Sequence, residues 1–254
     1  MKPVSGGTAA LFVLAMVLTA CGGADNKADS GSKAGRGRAE RPVESSSPVT
    51  GRATGNVVAT PPPDRTGAPK ALFLGTSLTA GLGLADPATE SWPAVVQELA
   101  DSAAIPFYVV NAGLSGETSA GALRRADWVM QEKYDLIVIE TGANDGLRGL
   151  DPDSTASNVR GVIAKARAAN PNASIFLVQM EAPTNMGPRY TKAFHALFPK
   201  VAYETGVTLL PFLLEGVGGV AKLNQGDGIH PTAEGARIVG HNVWPGIRFA
   251  LRRR

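Results

Sequence analysis

Short, continuous apolar runs recur along the chain from residue 71 onward. They are Ala71–Leu74, Phe107–Val110, Leu136–Ile139, Ile175–Val178 and Val207–Leu210. Runs of this length, bounded by polar or turn residues and rich in β-branched and large apolar side chains, predict strands buried on both faces. Between them the apolar positions fall at helical spacing, which predicts helices over Trp92–Ala103, Ala120–Lys133, Ser154–Ala169 and Tyr190–Glu204, with a last one over Thr232–Leu251. Asn170-Pro171 marks the end of one of these, because the residue before proline is pushed out of the helical region. Strand and helix alternate throughout, and no internal repeat breaks the order. The pattern predicts an α/β domain of three layers, α/β/α, on a five-stranded parallel sheet.

Upstream of residue 70 the pattern changes twice. Lys2 is followed by a twelve-residue run, Ala9–Ala20, with Thr19 its one polar member, and then by Cys21. Twelve residues are too few to span a bilayer, which needs ~20, and the length with its flanking lysine fits a secretory signal peptide over residues 1–20. Leu18-Thr19-Ala20-Cys21 resembles the lipobox of bacterial lipoproteins, which makes Cys21 the candidate for lipidation; the plainer alternative is an ordinary signal peptide with an incidental cysteine. Cys21 is the only cysteine, so no intramolecular disulfide is available to an exported domain. Residues 22–69 are rich in Gly, Ser, Ala, Pro and charge, a composition that cannot offset its ordering entropy by apolar burial. The expected organisation is a signal peptide (1–20), a lipidated cysteine with a disordered linker (21–69), and a catalytic domain (70–254).

Charge follows the same division. Residues 22–70 carry eight Lys/Arg and five Asp/Glu, whereas residues 71–254 carry 16 and 17. The basic character of the whole chain therefore belongs to the linker, as a solvated spacer or as a segment suited to an anionic membrane. Nothing resembles a basic helix face or basic-aromatic interleaving, so nucleic acid is not an expected partner.

Four segments carry candidate chemistry: Gly75-Thr76-Ser77-Leu78, Gly116, Gly142-Ala143-Asn144-Asp145 and Asp227-Gly228-Ile229-His230. They supply a serine, two kinds of oxyanion donor and a carboxylate three residues before a histidine. A serine hydroxyl is a weak nucleophile without an adjacent base, and the base needs an anion to hold its tautomer. Each segment follows a predicted strand, and ligands of such sheets bind at the carboxyl ends of the strands. Ser77 is expected to open a helix whose free N–H groups and dipole favour developing negative charge; its structural alternative is an N-cap serine. Asp227 could equally be a turn residue between glycines. Gly113 or Gly121 could replace Gly116 as a donor, and Asp145 could be a helix cap or loop anchor. His195 and His241 lie in helical patterns away from the motifs. No Cys/His cluster, His-Glu-x-x-His or Gly-Lys-Ser/Thr phosphate loop is present, and no cofactor or metal is expected.

Taken with Phe73-Leu74-Gly75, Gly113-Leu114-Ser115-Gly116-Glu117-Thr118, Asp145-Gly146-Leu147-Arg148-Gly149 and Leu210-Pro211-Phe212, these segments resemble the SGNH/GDSL hydrolases, and within them the bacterial thioesterase/arylesterase/lysophospholipase branch. The likeness runs from Lys70 to about Arg248. It implies the flavodoxin-like SGNH hydrolase fold, Ser77 as nucleophile, His230 as base and Asp227 as its orienter. The oxyanion hole is then the Ser77 backbone N–H with Gly116 and Asn144. One departure stands out: the family usually has Asp where this chain has Thr76. The expected activity is hydrolysis of acyl esters or thioesters, including aryl esters and lysophospholipids. The alternatives are an O-acetylesterase of envelope polysaccharide and an idle acyl-binding lipoprotein. Expected partners are a small-molecule ester or lysolipid and a membrane of the cell envelope reached through a lipid anchor; a monomer is expected. Met180, Met186 and Phe212 are candidates for contact with an acyl chain or for the core.

Overall fold

The computed structural model describes Arg65 and residues 67–252. Cys21, the signal-peptide run and nearly all of the linker lie outside the described residues. The predicted runs form five strands: β1 (Lys70–Gly75), β2 (Tyr108–Gly113), β3 (Leu136–Ile139), β4 (Ser174–Gln179) and β5 (Thr208–Phe212). All pair in parallel, in the order β2-β1-β3-β4-β5. That is the flavodoxin-like doubly wound order, with its topological switch point between β1 and β3.

Helices α1 (Ser77–Ala80), α2 (Pro87–Glu90), α3 (Trp92–Ser102), α4 (Ser119–Val129), α5 (Ala143–Leu147), α6 (Pro152–Ala169), α7 (Pro188–Thr205) and α8 (Ala233–Leu251) complete the chain. Helix α3 packs with α8, and α6 packs with both α4 and α7, which gives a helical layer on each side of the sheet. The central strands are buried throughout: Ala71 to Leu74 and Leu136 to Ile139 are closed to solvent. They lie within the apolar core, whose removal from water is the main favourable term in folding.

Two sequence expectations shift. Strand β5 is not buried on both faces, because it is an edge strand with Thr208 and Pro211 exposed. Proline is tolerated there since an edge strand can spare a ladder donor. Helix α4 stops at Val129 rather than Lys133, and the next residues turn so that Lys133 Nζ reaches the Ala169 carbonyl at 2.6 Å. The short helices α1, α2 and α5 carry too few turns to show a periodicity in sequence. Among the described residues no helix is long and apolar enough to cross a membrane.

Candidate active site

The loops leaving β1, β2 and β3 and the loop before α8 converge at the carboxyl end of the sheet. Ser77 is the first residue of α1, and Thr76 caps it in extended conformation. The expected helix is a single four-residue turn, so its free N–H groups, rather than a long summed dipole, are what it offers. Opposite, the loop after β5 turns at Gly228 and brings Asp227 back onto His230. His230 Nε2 lies 2.8 Å from Ser77 Oγ, and His230 Nδ1 lies 2.6 Å from Asp227 Oδ2. The other Asp227 oxygen accepts from the Ile229 and His230 backbone N–H groups at 3.0 and 3.1 Å. The His230 ring and these two amides hold the Asp227 carboxyl at about 2, below its ordinary value. The Asp227 side chain is 46 % exposed and the His230 ring 14 %, so the pair forms the solvent edge of the site and Ser77 its floor. Gln225 fastens this loop to the Ser77 side, donating from Nε2 to the Leu82 carbonyl at 2.7 Å.

Gly116 has φ +77°, a conformation that favours glycine, and a Cβ there would meet only Arg148 Nη2, at 3.9 Å. Its carbonyl accepts from the exposed Arg148 at 3.0 Å. The other two glycines considered have committed N–H groups: Gly113 donates to Asn111 Oδ1 and Gly121 to the Thr118 cap. Asn144, on α5, donates through Nδ2 to the Glu117 carbonyl at 3.0 Å. A side-chain amide carries two N–H donors, so this bond both orients the group and leaves a second donor. Asp145 has the anchoring role: it is buried and accepts from the Ser119 N–H at 2.8 Å, the Ser119 hydroxyl at 2.5 Å and Thr155 at 3.3 Å, which ties α5 to α4 and α6.

The remaining candidates are dispersed. His195 pairs with Glu181 at 2.6 Å and is 62 % exposed, and His241 is exposed on α8. Met180 belongs to the core, Met186 lies against Gly149, and Phe212 is half-buried on β5. Sequence reasoning missed two buried acids. Glu117 forms a bidentate pair with Arg125 at 2.6 and 2.8 Å, and Arg125 also reaches the carbonyls of Gly75 and Ala112. Glu140 follows β3 directly and sits under the turn between β1 and α1. Its signal was present as an acid closing the apolar run Leu136-Ile137-Val138-Ile139. Among the described residues no group of three or more His, Cys, Asp or Glu is disposed to hold a metal ion.

The profile of the GDSL-like lipase/acylhydrolase family matches residues 73–238, which span all four motif segments. The chain belongs to this family. Similar proteins include esterase TesA of Pseudomonas aeruginosa, 41 % identical over 71 % of this chain and 88 % of that one. The thioesterase 1/protease 1/lysophospholipase L1 of Escherichia coli is 40 % identical over 64 % of this chain and 76 % of that one. Among solved structures, TesA superposes with a TM-score of 0.67 over 71 % of this chain and 99 % of its own, at 41 % identity. The esterase EstA of a Pseudoalteromonas species, inhibited by monoethylphosphonate, gives 0.66 over 72 % and 98 %, at 34 % identity. The protein is thus a carboxylic ester hydrolase of the GDSL-like lipase/acylhydrolase family with the SGNH hydrolase fold.

Proposed function

We propose that the protein cleaves acyl esters through Ser77, His230 and Asp227, on substrates of the lysophospholipid, aryl-ester or acyl-thioester kind. The observation that carries this reading is the unbroken line from Ser77 Oγ to His230 Nε2 (2.8 Å) and from His230 Nδ1 to Asp227 (2.6 Å). Ser77 Oγ attacks the acyl carbonyl while His230 takes its proton, and Asp227 holds the ring with Nδ1 protonated and offsets the charge that it gains. The oxyanion is received by the Ser77 and Gly116 N–H groups and by the second amide hydrogen of Asn144. The alcohol or thiol leaves with the proton from His230, and water then frees the acyl group by the same route. The ring needs no rearrangement between the two halves, because Asp227 is itself held by two backbone amides.

An apolar acyl chain suits the surroundings of the site. Five large apolar side chains exposed to solvent, Leu82, Leu114, Leu147, Leu150 and Ile229, belong to the loops and the short helix α5 around the motifs. The names of the relatives, esterase, thioesterase and lysophospholipase, point the same way.

The test is hydrolysis of p-nitrophenyl esters from C2 to C16 by the wild-type chain and by Ser77→Ala. The expected result is Ser77-dependent activity that peaks at medium or long chains. Activity confined to C2 would overturn the lipid-ester substrate in favour of an O-acetylesterase. Folded protein inert at every length, and unlabelled by a fluorophosphonate, would overturn the triad.

A further inference from the structure

Glu140 is fully buried at the switch point between β1 and β3. Its backbone N–H donates to the Leu74 carbonyl at 2.8 Å, which turns the side chain toward the β1–α1 turn. Oε2 accepts from the Thr76 N–H at 2.7 Å and from the Thr79 hydroxyl at 2.8 Å. The Thr76 hydroxyl donates across both oxygens at 3.0 Å, and the Thr79 N–H is a further donor. Burial pushes the carboxyl up from its ordinary pKa, and these donors offset only part of that rise. The residues it grips, Thr76 and Thr79, bracket Ser77.

This turn cannot hold itself. Helix α1 is one four-residue turn, too short to be stable on its own hydrogen bonds, and it is entered through a glycine. Its geometry is imposed from outside, by Glu140 on the inner side and by Arg125 and the Leu114 N–H on the Gly75 carbonyl. The fit is close: a Cβ on Gly75 would lie 2.0 Å from Thr79 Oγ1 and 2.7 Å from Glu140 Oε2. Threonine at position 76 completes the arrangement. An aspartate there would aim a second carboxyl at Glu140, whereas Thr76 gives it a hydroxyl donor.

We propose that Glu140 is a positioning residue for the nucleophile: its carboxylate holds the β1–α1 turn through Thr76 and Thr79, and so sets Ser77 Oγ against His230. This rests on the reading of Ser77 as nucleophile. Glu140 itself meets neither substrate nor His230; it acts through the turn.

The test compares the full-length wild type with Glu140→Leu and Glu140→Gln, with kcat and KM on p-nitrophenyl butyrate normalised to titrated sites, and the rate of fluorophosphonate labelling beside them. Leucine keeps the bulk and removes every acceptor. It is expected to lower kcat and the labelling rate together by about 10²-fold, the cost of a displacement of about 1 Å at a reacting group, with KM little changed. Glutamine is expected to recover most of the loss, since its oxygen can accept at the Oε2 position while its NH₂ donates to Thr76 Oγ1. Folded Glu140→Leu with wild-type kcat and labelling would overturn the positioning role, leaving Glu140 a packing residue. Glutamine as poor as leucine would also overturn it, in favour of an effect of charge. If Glu140→Leu does not fold, Thr76→Val with Thr79→Val removes both hydroxyl donors at constant shape; unchanged kcat there would likewise overturn the proposal. A wild type that neither labels nor turns over sinks the triad reading itself, and this one with it.

Discussion

At the scale of single residues, the carboxylate of Asp227 separates two effects that are easily confused. In the proposed mechanism it holds the His230 tautomer, and it contributes to stability through its own titration. Asp227→Asn keeps both amide contacts possible but presents an NH₂ to Nδ1, so the proton moves to Nε2 and Ser77 Oγ loses its base. A loss of about 10⁴ in kcat near neutral pH is expected with the fold intact, read by steady-state kinetics beside circular dichroism. The pH effect has a definite sign. The folded carboxyl, at about 2, lies below its ordinary 3.8, so the stabilisation is present above about pH 4 and is lost as pH falls toward 2. Half-exposure keeps this contribution small. Denaturant titrations from pH 6 to 2 should show a shallower acid slope in Asp227→Asn than in the wild type. Asn144→Ala tests the other side of the oxyanion. It removes one donor and should lower kcat by about 10²–10³-fold with little change in KM; a rise in KM at unchanged kcat would assign Asn144 to substrate binding instead.

At the scale of elements, the site is a set of loops held by buried acids behind them. Asp145 is the clearest case. Its two oxygens serve the first N–H of α4 and the hydroxyls of Ser119 and Thr155, so it fixes α5 between α4 and α6. Asp145→Ala leaves the buried Ser119 N–H and hydroxyl without their acceptor, while Thr155 keeps the Asp151 carbonyl, and should cost about 2–3 kcal/mol, a fall in Tm of about 5–10 °C for a domain of this size. Calorimetry reads this directly; an unchanged Tm would mean that α5 is held by packing alone. These anchors also mark the limit of what sequence can convey. The strands were legible as apolar runs, and the segments that bring Ser77, Asp227 and His230 together as motifs at strand ends, because both are local patterns. Glu140 with Thr76, Arg125 with Glu117, and Asp145 with Ser119 join positions 64, 8 and 26 residues apart. No spacing rule links such pairs before the topology brings β1, β2 and β3 side by side. The exposure of β5 was hidden for the same reason: Val207-Thr208-Leu209-Leu210 reads as a buried run, and only the strand order makes it an edge.

At the scale of the whole molecule, the question is what keeps an esterase with an apolar mouth at its substrate. No described helix is long and apolar enough to cross a membrane, and we propose that attachment comes instead from the lipobox-like segment ahead of the domain. There the chain has one chemically distinctive feature, the sole cysteine at the end of Leu18-Thr19-Ala20-Cys21. An apolar mouth alone gives weak, reversible contact with lipid, whereas two acyl chains on one residue hold a protein stably. The two sources can be told apart by removing them separately. Cys21→Ser should move the protein from the membrane fraction to the soluble fraction with its specific activity on short esters unchanged, since Cys21 lies far in sequence from Ser77 and His230. Leu114→Ser with Leu150→Ser should leave it in the membrane fraction. If Cys21→Ser stays membrane-bound and the double leucine variant is released, the attachment belongs to the mouth of the domain and the lipobox reading fails. If both variants stay bound, the apolar run Ala9–Ala20 is retained and holds the chain itself, as an uncleaved segment.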